Sequence, residues 1–188
     1  MSFDIKDLFN EINLLRTNPS EFSEKISKSK EYFKGNIWID PETKAGIQTA
    51  EGPAAYDEAI EFLKNASPVE ELKPSKGLMN IANDMLELFQ KDANDRTDIN
   101  SIIDKYGSYG GSFRRSVEFG APNAEQAIIN LVVCDGNKSR GNREALLDEN
   151  LEKIGIASGK HGTYRTCSVI VGCTNFENSD DSDDTAYI

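Results

Sequence analysis

Residues 134–171 read CDGNKSRGNREALLDENLEKIGIASGKHGTYRTCSVIV, and they set the terms for everything else in the chain. An apolar helix runs into Cys134, Asp135-Gly136 makes a turn, and the block Arg140-Gly141-Asn142-Arg143 leads into two segments of strand character, Ile154 to Ala157 and Tyr164 to Val171. In the second segment Cys167, Val169 and Val171 alternate with Thr166, Ser168 and Ile170. That two-residue period predicts a strand with one buried and one less buried face.

Upstream the period becomes helical. Ile5, Leu8, Ile12 and Leu15 recur at helical spacing until Asn18-Pro19 stops the pattern, and a short second helix is expected over Ser20 to Ile26. Residues 28 to 52 lack periodicity and hold Trp38 beside Asp40-Pro41, which predicts a long loop packed on the body. Pro53 opens a helix with Tyr56, Ala59, Ile60 and Leu63 on one face, and Leu72 to Ser75 reads as an extended connector. Leu78, Ile81, Ala82, Met85, Leu88 and Phe89 form the clearest apolar stripe of the chain. Residues 91 to 101 are polar, and Tyr106-Gly107-Ser108-Tyr109-Gly110-Gly111 predicts a tight turn. Asn123 caps a last helix that carries Ala124, Ala127, Ile128, Leu131 and Val132. Helices at the front and in the middle, with strands late, predict an α+β domain over residues 1–176 whose sheet is covered on both sides. Residues 177–188 read as an acidic, mobile tail.

A composition of 38% hydrophobic and 28% charged residues is that of an ordinary globule. The net charge of −11, without any basic cluster, sets nucleic acid aside and argues against an anionic membrane as the main partner. No apolar run approaches the roughly 20 residues that span a bilayer. The first twenty residues are amphipathic, with Asp4, Lys6, Asp7, Glu11 and Arg16 among the apolar positions, so a cytoplasmic protein is expected. Cys134, Cys167 and Cys173 make an odd count with no disulfide framework. Buried free thiols are the plainer reading, and they suit a reducing compartment.

These residues resemble the CAP superfamily, the cysteine-rich secretory, allergen and pathogenesis-related proteins also called SCP-like. Asp135-Gly136, Arg140-Gly141, Arg143, Gly159, His161, Tyr164 and Cys167 stand where one branch carries DDG, RGHR, GxH and a Cys-bearing strand. Thr49-Ala50-Glu51-Gly52 matches its TxEG, and the resemblance extends over roughly residues 3 to 176. It implies a three-layer α-β-α sandwich. It also implies a metal site of zinc type, from a His after AAxD, a Glu in ENIxYG and the His of RGHR. Aligned on those motifs, this chain has Met85, Arg115 and Asn142 at the three positions, and Ala93 to Ser101 where the family has GHxGxDGS. A thioether is a soft ligand, a guanidinium repels a cation, and a neutral amide binds first-row metals poorly. Neither a metal nor any other cofactor is therefore expected.

Around those positions His161, Arg140, Arg143, Glu118 and Asp135 are the residues that could occupy a cleft. Glu118 lies three residues from Arg115, an odd offset that on a strand turns it to the opposite face. His161 has a useful pKa range for a general base but no evident nucleophile, and the two arginines are read as holding carboxylates and carbonyls inside the fold. The expected function is a non-catalytic CAP-like interaction or structural subunit of a larger protein assembly, of the kind found in cytoskeletal and axonemal machines. The alternatives are a lipid- or sterol-binding module and, behind it, a metal-dependent hydrolase that rebuilds a site from His161 with Glu118 or Asp135.

Overall fold

The computed structural model describes residues 3–179. Helix α1 (Ile5–Thr17) begins at Asp4, whose carboxylate accepts from the Lys6 N–H, and it buries Leu8, Ile12 and Leu15 as the spacing requires. Asn18 ends α1 and caps α2 (Pro19–Lys30), which buries Phe22 and Ile26. α3 (Pro53–Asn65) and α4 (Lys76–Lys91) follow the predicted stripes.

Four strands make the central sheet: β4 (Lys73–Pro74), β5 (Gly107–Phe119), β6 (Lys153–His161) and β7 (Arg165–Asn178), in the order β4-β6-β7-β5. β4 runs parallel to β6, and the other pairs are antiparallel. On one face α4 packs Leu78, Ile81, Met85 and Phe89 against Cys167, Val169, Val171 and Cys173. On the other face α1, α6 (Ala124–Val133) and α7 (Gly141–Leu146) pack with Ile154, Ile156 and Ile170. The architecture is α+β in three layers, helix-sheet-helix. The closeness of α4 to the sheet is set at Gly155, where an added Cβ would lie 2.1 Å from the Leu78 carbonyl. No helix among the described residues is long and apolar enough to cross a membrane.

Several local expectations are corrected. β7 is buried on both faces, because helices cover both, so its alternation marks two different cores rather than a core and a wet side. Residues 28 to 52 are not a loop. α2 continues to Lys30, and β1 (Phe33–Lys34), β2 (Ile37–Ile39) and β3 (Gly46–Gln48) form a small antiparallel sheet, here called the flap. Trp38 anchors it, its indole Nε1 donating to the Ser29 carbonyl at 3.0 Å. The glycine-rich segment at 107–111 is not a turn but the start of β5, with an irregular register between Gly110 and Phe113. Before it, α5 (Ile99–Tyr106) buries Ile102 and Ile103. β7 also runs past the expected domain end, Glu177 and Asn178 pairing with Ser108 and Gly107. The rest of the acidic tail, residues 180–188, lies outside the described residues.

Arg16 is a polar residue on the buried side of α1, with no accessible surface. Its Nε donates to the Glu70 carbonyl (2.8 Å), Nη1 to Leu146 (2.7 Å) and Asp148 (3.1 Å), and Nη2 to Leu151 (3.3 Å). Four carbonyls from two distant segments thus share one planar fork, an arrangement that a lysine ammonium does not match. Arg16→Met should cost about 3–5 kcal/mol in urea unfolding, since it strands buried carbonyls. Arg16→Lys should recover less than half of that. A loss under about 1 kcal/mol for Arg16→Met would show that those carbonyls find other partners.

Candidate functional site

Between the flap, α3, α6, the edge of β5 and the first turn of α7 lies an open cavity of about 340 Å³. Trp38, Ile47, Gln48 and Thr49 line it from the flap, Tyr56 from α3, Gln126 and Asn130 from α6, Glu118 from β5, and Asn142 from α7. The turn between α6 and α7 adds Cys134, Asp135 and Asn137.

A directed chain of hydrogen bonds crosses this wall. Trp38 Nε1 donates to Ser29 Oγ (3.1 Å), and Ser29 Oγ donates to Gln126 Oε1 (2.7 Å). Gln126 Nε2 donates to the Tyr56 hydroxyl (3.2 Å) and to Asn130 Oδ1 (2.8 Å), and Asn130 Nδ2 donates to Glu118 Oε1 (2.9 Å). The Ala121 N–H reaches Glu118 Oε2 at 3.4 Å. Gln126 and Asn130 stand one helical turn apart on α6, so both amides fall on one face. Glu118 is 5% exposed. Burial drives its carboxyl pKa up to about 7, against the pull of the Asn130 and Ala121 hydrogen bonds.

The motif residues hold the cavity's frame. The Asp135 carboxylate accepts from the Ala50 (2.6 Å) and Glu51 (2.8 Å) N–H groups, and the Gly136 N–H donates to Glu51 Oε1 (2.9 Å). Arg140 makes a two-pronged bond to Glu51 (2.6 and 3.0 Å), donates to the Cys134 carbonyl (3.0 Å) and lies 3.2 Å from Glu58. Arg143 forks onto Glu58 (2.7 and 2.6 Å) and donates through Nε to the Val132 carbonyl (2.7 Å). These arginines hold the Glu51 and Glu58 carboxyls below their ordinary pKa. Cys134 and Arg140 both adopt left-handed backbone, the two corners that bring the α6–α7 turn back under the flap.

The sheet separates the three positions that the family alignment groups together. Asn142 lines the cavity. Met85 is in the core under α4, and the Arg115 guanidinium sits 6.0 Å from the Phe89 ring centre on that same far side. The expectation for Glu118 is reversed accordingly. The odd offset from Arg115 does turn it to the other face, but that face is the one with the cavity. Of the remaining sequence candidates, only Asp135 lines the cavity. His161 does not: its ring packs on Phe119 and Tyr164 at 5.3 and 5.1 Å, and its Nδ1 accepts from the Thr163 and Tyr164 N–H groups. Among the described residues no group of three or more His, Cys, Asp or Glu side chains could hold a metal ion. All three cysteines are free and buried, and burial raises the Cys167 and Cys173 thiols to about 12.

Neither a scan against protein-family models nor a search of curated proteins finds a match to this chain. Among solved structures it is similar to a cysteine-rich secretory protein from Staphylococcus aureus subsp. aureus Mu50, at 16% identity and a TM-score of 0.46, over 65% of this chain and 37% of that one. It is also similar to an outer surface protein from Borrelia burgdorferi, at 17% identity and a TM-score of 0.47, over 74% of this chain and 98% of that one.

Because the folded pKa of Glu118 lies above its ordinary value of 4.5, the folded state holds its proton more tightly than the unfolded chain. The associated stability is complete below pH 4.5 and is lost as the pH rises to about 7, on the order of 3 kcal/mol in all. Glu118→Gln keeps the size and removes the ionisation. It should match the parent at pH 4 and exceed it at pH 8 by up to that amount in urea unfolding. Parallel stability curves for the two proteins from pH 4 to 8 would show that Glu118 does not titrate in the folded state as described.

Proposed function

We propose that this chain is a CAP-like domain that acts without catalysis, as an interaction subunit of a larger protein assembly. The family resemblance rests on the sequence motifs, and the helix-sheet-helix layering is in keeping with it. The observation that carries the functional reading is the flap. Its Ile37 and Ile47, with Tyr32 just before it, are 40–43% exposed, and Ile47 also lines the cavity. Exposed apolar side chains beside a concave site are the composition of a recognition surface. Three of the charged residues that the sequence singles out are already engaged. Asp135 commits both oxygens to backbone N–H groups, and Arg140 and Arg143 are held by Glu51, Glu58 and main-chain carbonyls. The buried thiols suit a reducing compartment, in keeping with action in the cytoplasm, the cytoskeleton or a cilium included.

A lipid or sterol is the second reading, favoured by the apolar side chains of Trp38, Ile47, Leu131 and Val133 in the lining. The carboxamides and carboxyls that make up much of the same lining weigh against it, since a hydrocarbon ligand leaves them without partners.

The test is native sizing of the endogenous protein in extract at low and moderate salt, with the co-migrating proteins identified. The expected result is a large complex that survives moderate salt and that an Ile37→Ser/Ile47→Ser form fails to enter. Migration as a single chain at both salts would overturn the reading, and solvent extraction for a stoichiometric lipid would then decide the second one.

A further inference from the structure

Among the described residues Glu118 is a carboxyl without a counter-ion. It is all but buried, at 5% exposure, it lies on the wall of the cavity, and its partners are the Asn130 amide and the Ala121 N–H. No lysine, arginine or histidine lines the cavity among the described residues. Of the other groups in the lining, Asp135 is bound to two backbone N–H groups and the Tyr56 hydroxyl accepts from Gln126. Through the sheet, the charge of Glu118 adds to burial in pushing up the Cys167 thiol. A buried carboxylate is ordinarily matched by a positive partner, and here the space where one would stand is an open cavity.

We infer that the cavity binds a ligand carrying an aliphatic ammonium group, seated against the Glu118 carboxyl. An ammonium offers three donors around one charge. One meets Glu118, and the Asn142 amide, which makes no hydrogen bond among the described residues, stands in the same lining to accept another. The rings of Trp38 and Tyr56 supply aromatic surface of the kind that attracts organic cations. The net charge of −11 favours the approach of cations in general. A free amine and a lysine side chain share this chemistry, and the inference does not require that the chain sit in an assembly.

The step is a proton exchange. The ammonium enters charged, and a neutral Glu118 gives its proton to solvent as the ion pair forms. Isothermal titration calorimetry on the isolated full chain at pH 7 tests it with four probes: n-butylamine, its neutral analogue n-butanol, Nα-acetyl-lysine methylamide, and the neutral Nα-acetyl-norleucine methylamide. Each amine should bind about thirtyfold or more tightly than its neutral analogue, and Glu118→Gln should erase that preference. In two buffers of different ionisation enthalpy, amine binding should release roughly half a proton at pH 7, and none in Glu118→Gln. A lysine derivative that binds at least tenfold more tightly than butylamine assigns the site to a partner's lysine, and the reverse order assigns it to a free amine. Equal binding of amine and neutral analogue, or an amine preference that survives in Glu118→Gln, would overturn the inference. Neither result bears on the sizing experiment, which reads the flap.

Discussion

The cavity exists because Glu51 is held from two directions at once. Its backbone N–H is fixed by the Asp135 carboxylate, and its own carboxylate is gripped by the Arg140 fork and the Gly136 N–H. Glu51 stands between the flap and α3, while Asp135, Gly136 and Arg140 stand between α6 and α7. One reciprocal clasp therefore joins two parts of the chain some 85 residues apart. Charge-assisted, two-pronged bonds of this kind fix geometry as well as add energy. Without them the flap is held by short strands, the Trp38 anchor and the Phe33 ring on Tyr56, and a three-stranded sheet with runs of two or three residues is too small to be stable alone. The motifs TxEG, DG and RGxR, far apart in sequence, are thus parts of a single structural joint.

The second organising constraint is the central sheet, whose strand β7 is buried on both faces through its middle. β7 shows Cys167, Val169, Val171 and Cys173 to one helical layer and Ile170 to the other. On such a strand every residue is assigned to one of two separate interiors, and a change of parity moves it from one to the other. Ser116 and Glu118 on β5 face the layer of α6, and Arg115 faces α4. Parity here decides which side chains reach the cavity, because one interior contains it and the other is solid core.

Much of this was legible in the sequence where the periodic signal is long. α1, α3, α4 and α6 follow their apolar stripes, and the layering follows from their order. Where elements are short the signal vanishes. Two or three residues of β1, β2 and β3 cannot display a period, so the flap was invisible although Trp38 marked the place. The glycines at 107–111 pointed to a turn because local flexibility was the only information present, whereas pairing with 175–178 of β7 makes them strand. In the site, Asp135, Glu118 and Asn142 were all singled out. The offset of three between Arg115 and Glu118 correctly separated their faces, but nothing local said which face held the cleft. Gln126 and Asn130 escaped notice because hydrogen-bonded amides carry no motif, and Tyr56 was read only as part of an apolar helix face. Two carboxamides at i and i+4 on a largely apolar helix were the available clue.

Glu118 makes the final argument about what the fold is for. A residue that serves structure alone is selected by what it contributes to stability, and an unpaired buried carboxyl contributes the wrong sign at neutral pH. Gln at the same place would accept from the same Asn130 and Ala121 donors with no charge to desolvate, so packing and hydrogen bonding do not call for an acid. The contrast with Glu51 and Glu58 is direct, for both of those carboxylates are matched by arginines and their pKa values fall. Within one small region the protein pairs the carboxylates that hold the frame and leaves unpaired the one that faces the cavity. Groups held against their stability optimum concentrate where a protein meets its ligands, and this one stands at the end of a relay that orients the Gln126 and Asn130 amides.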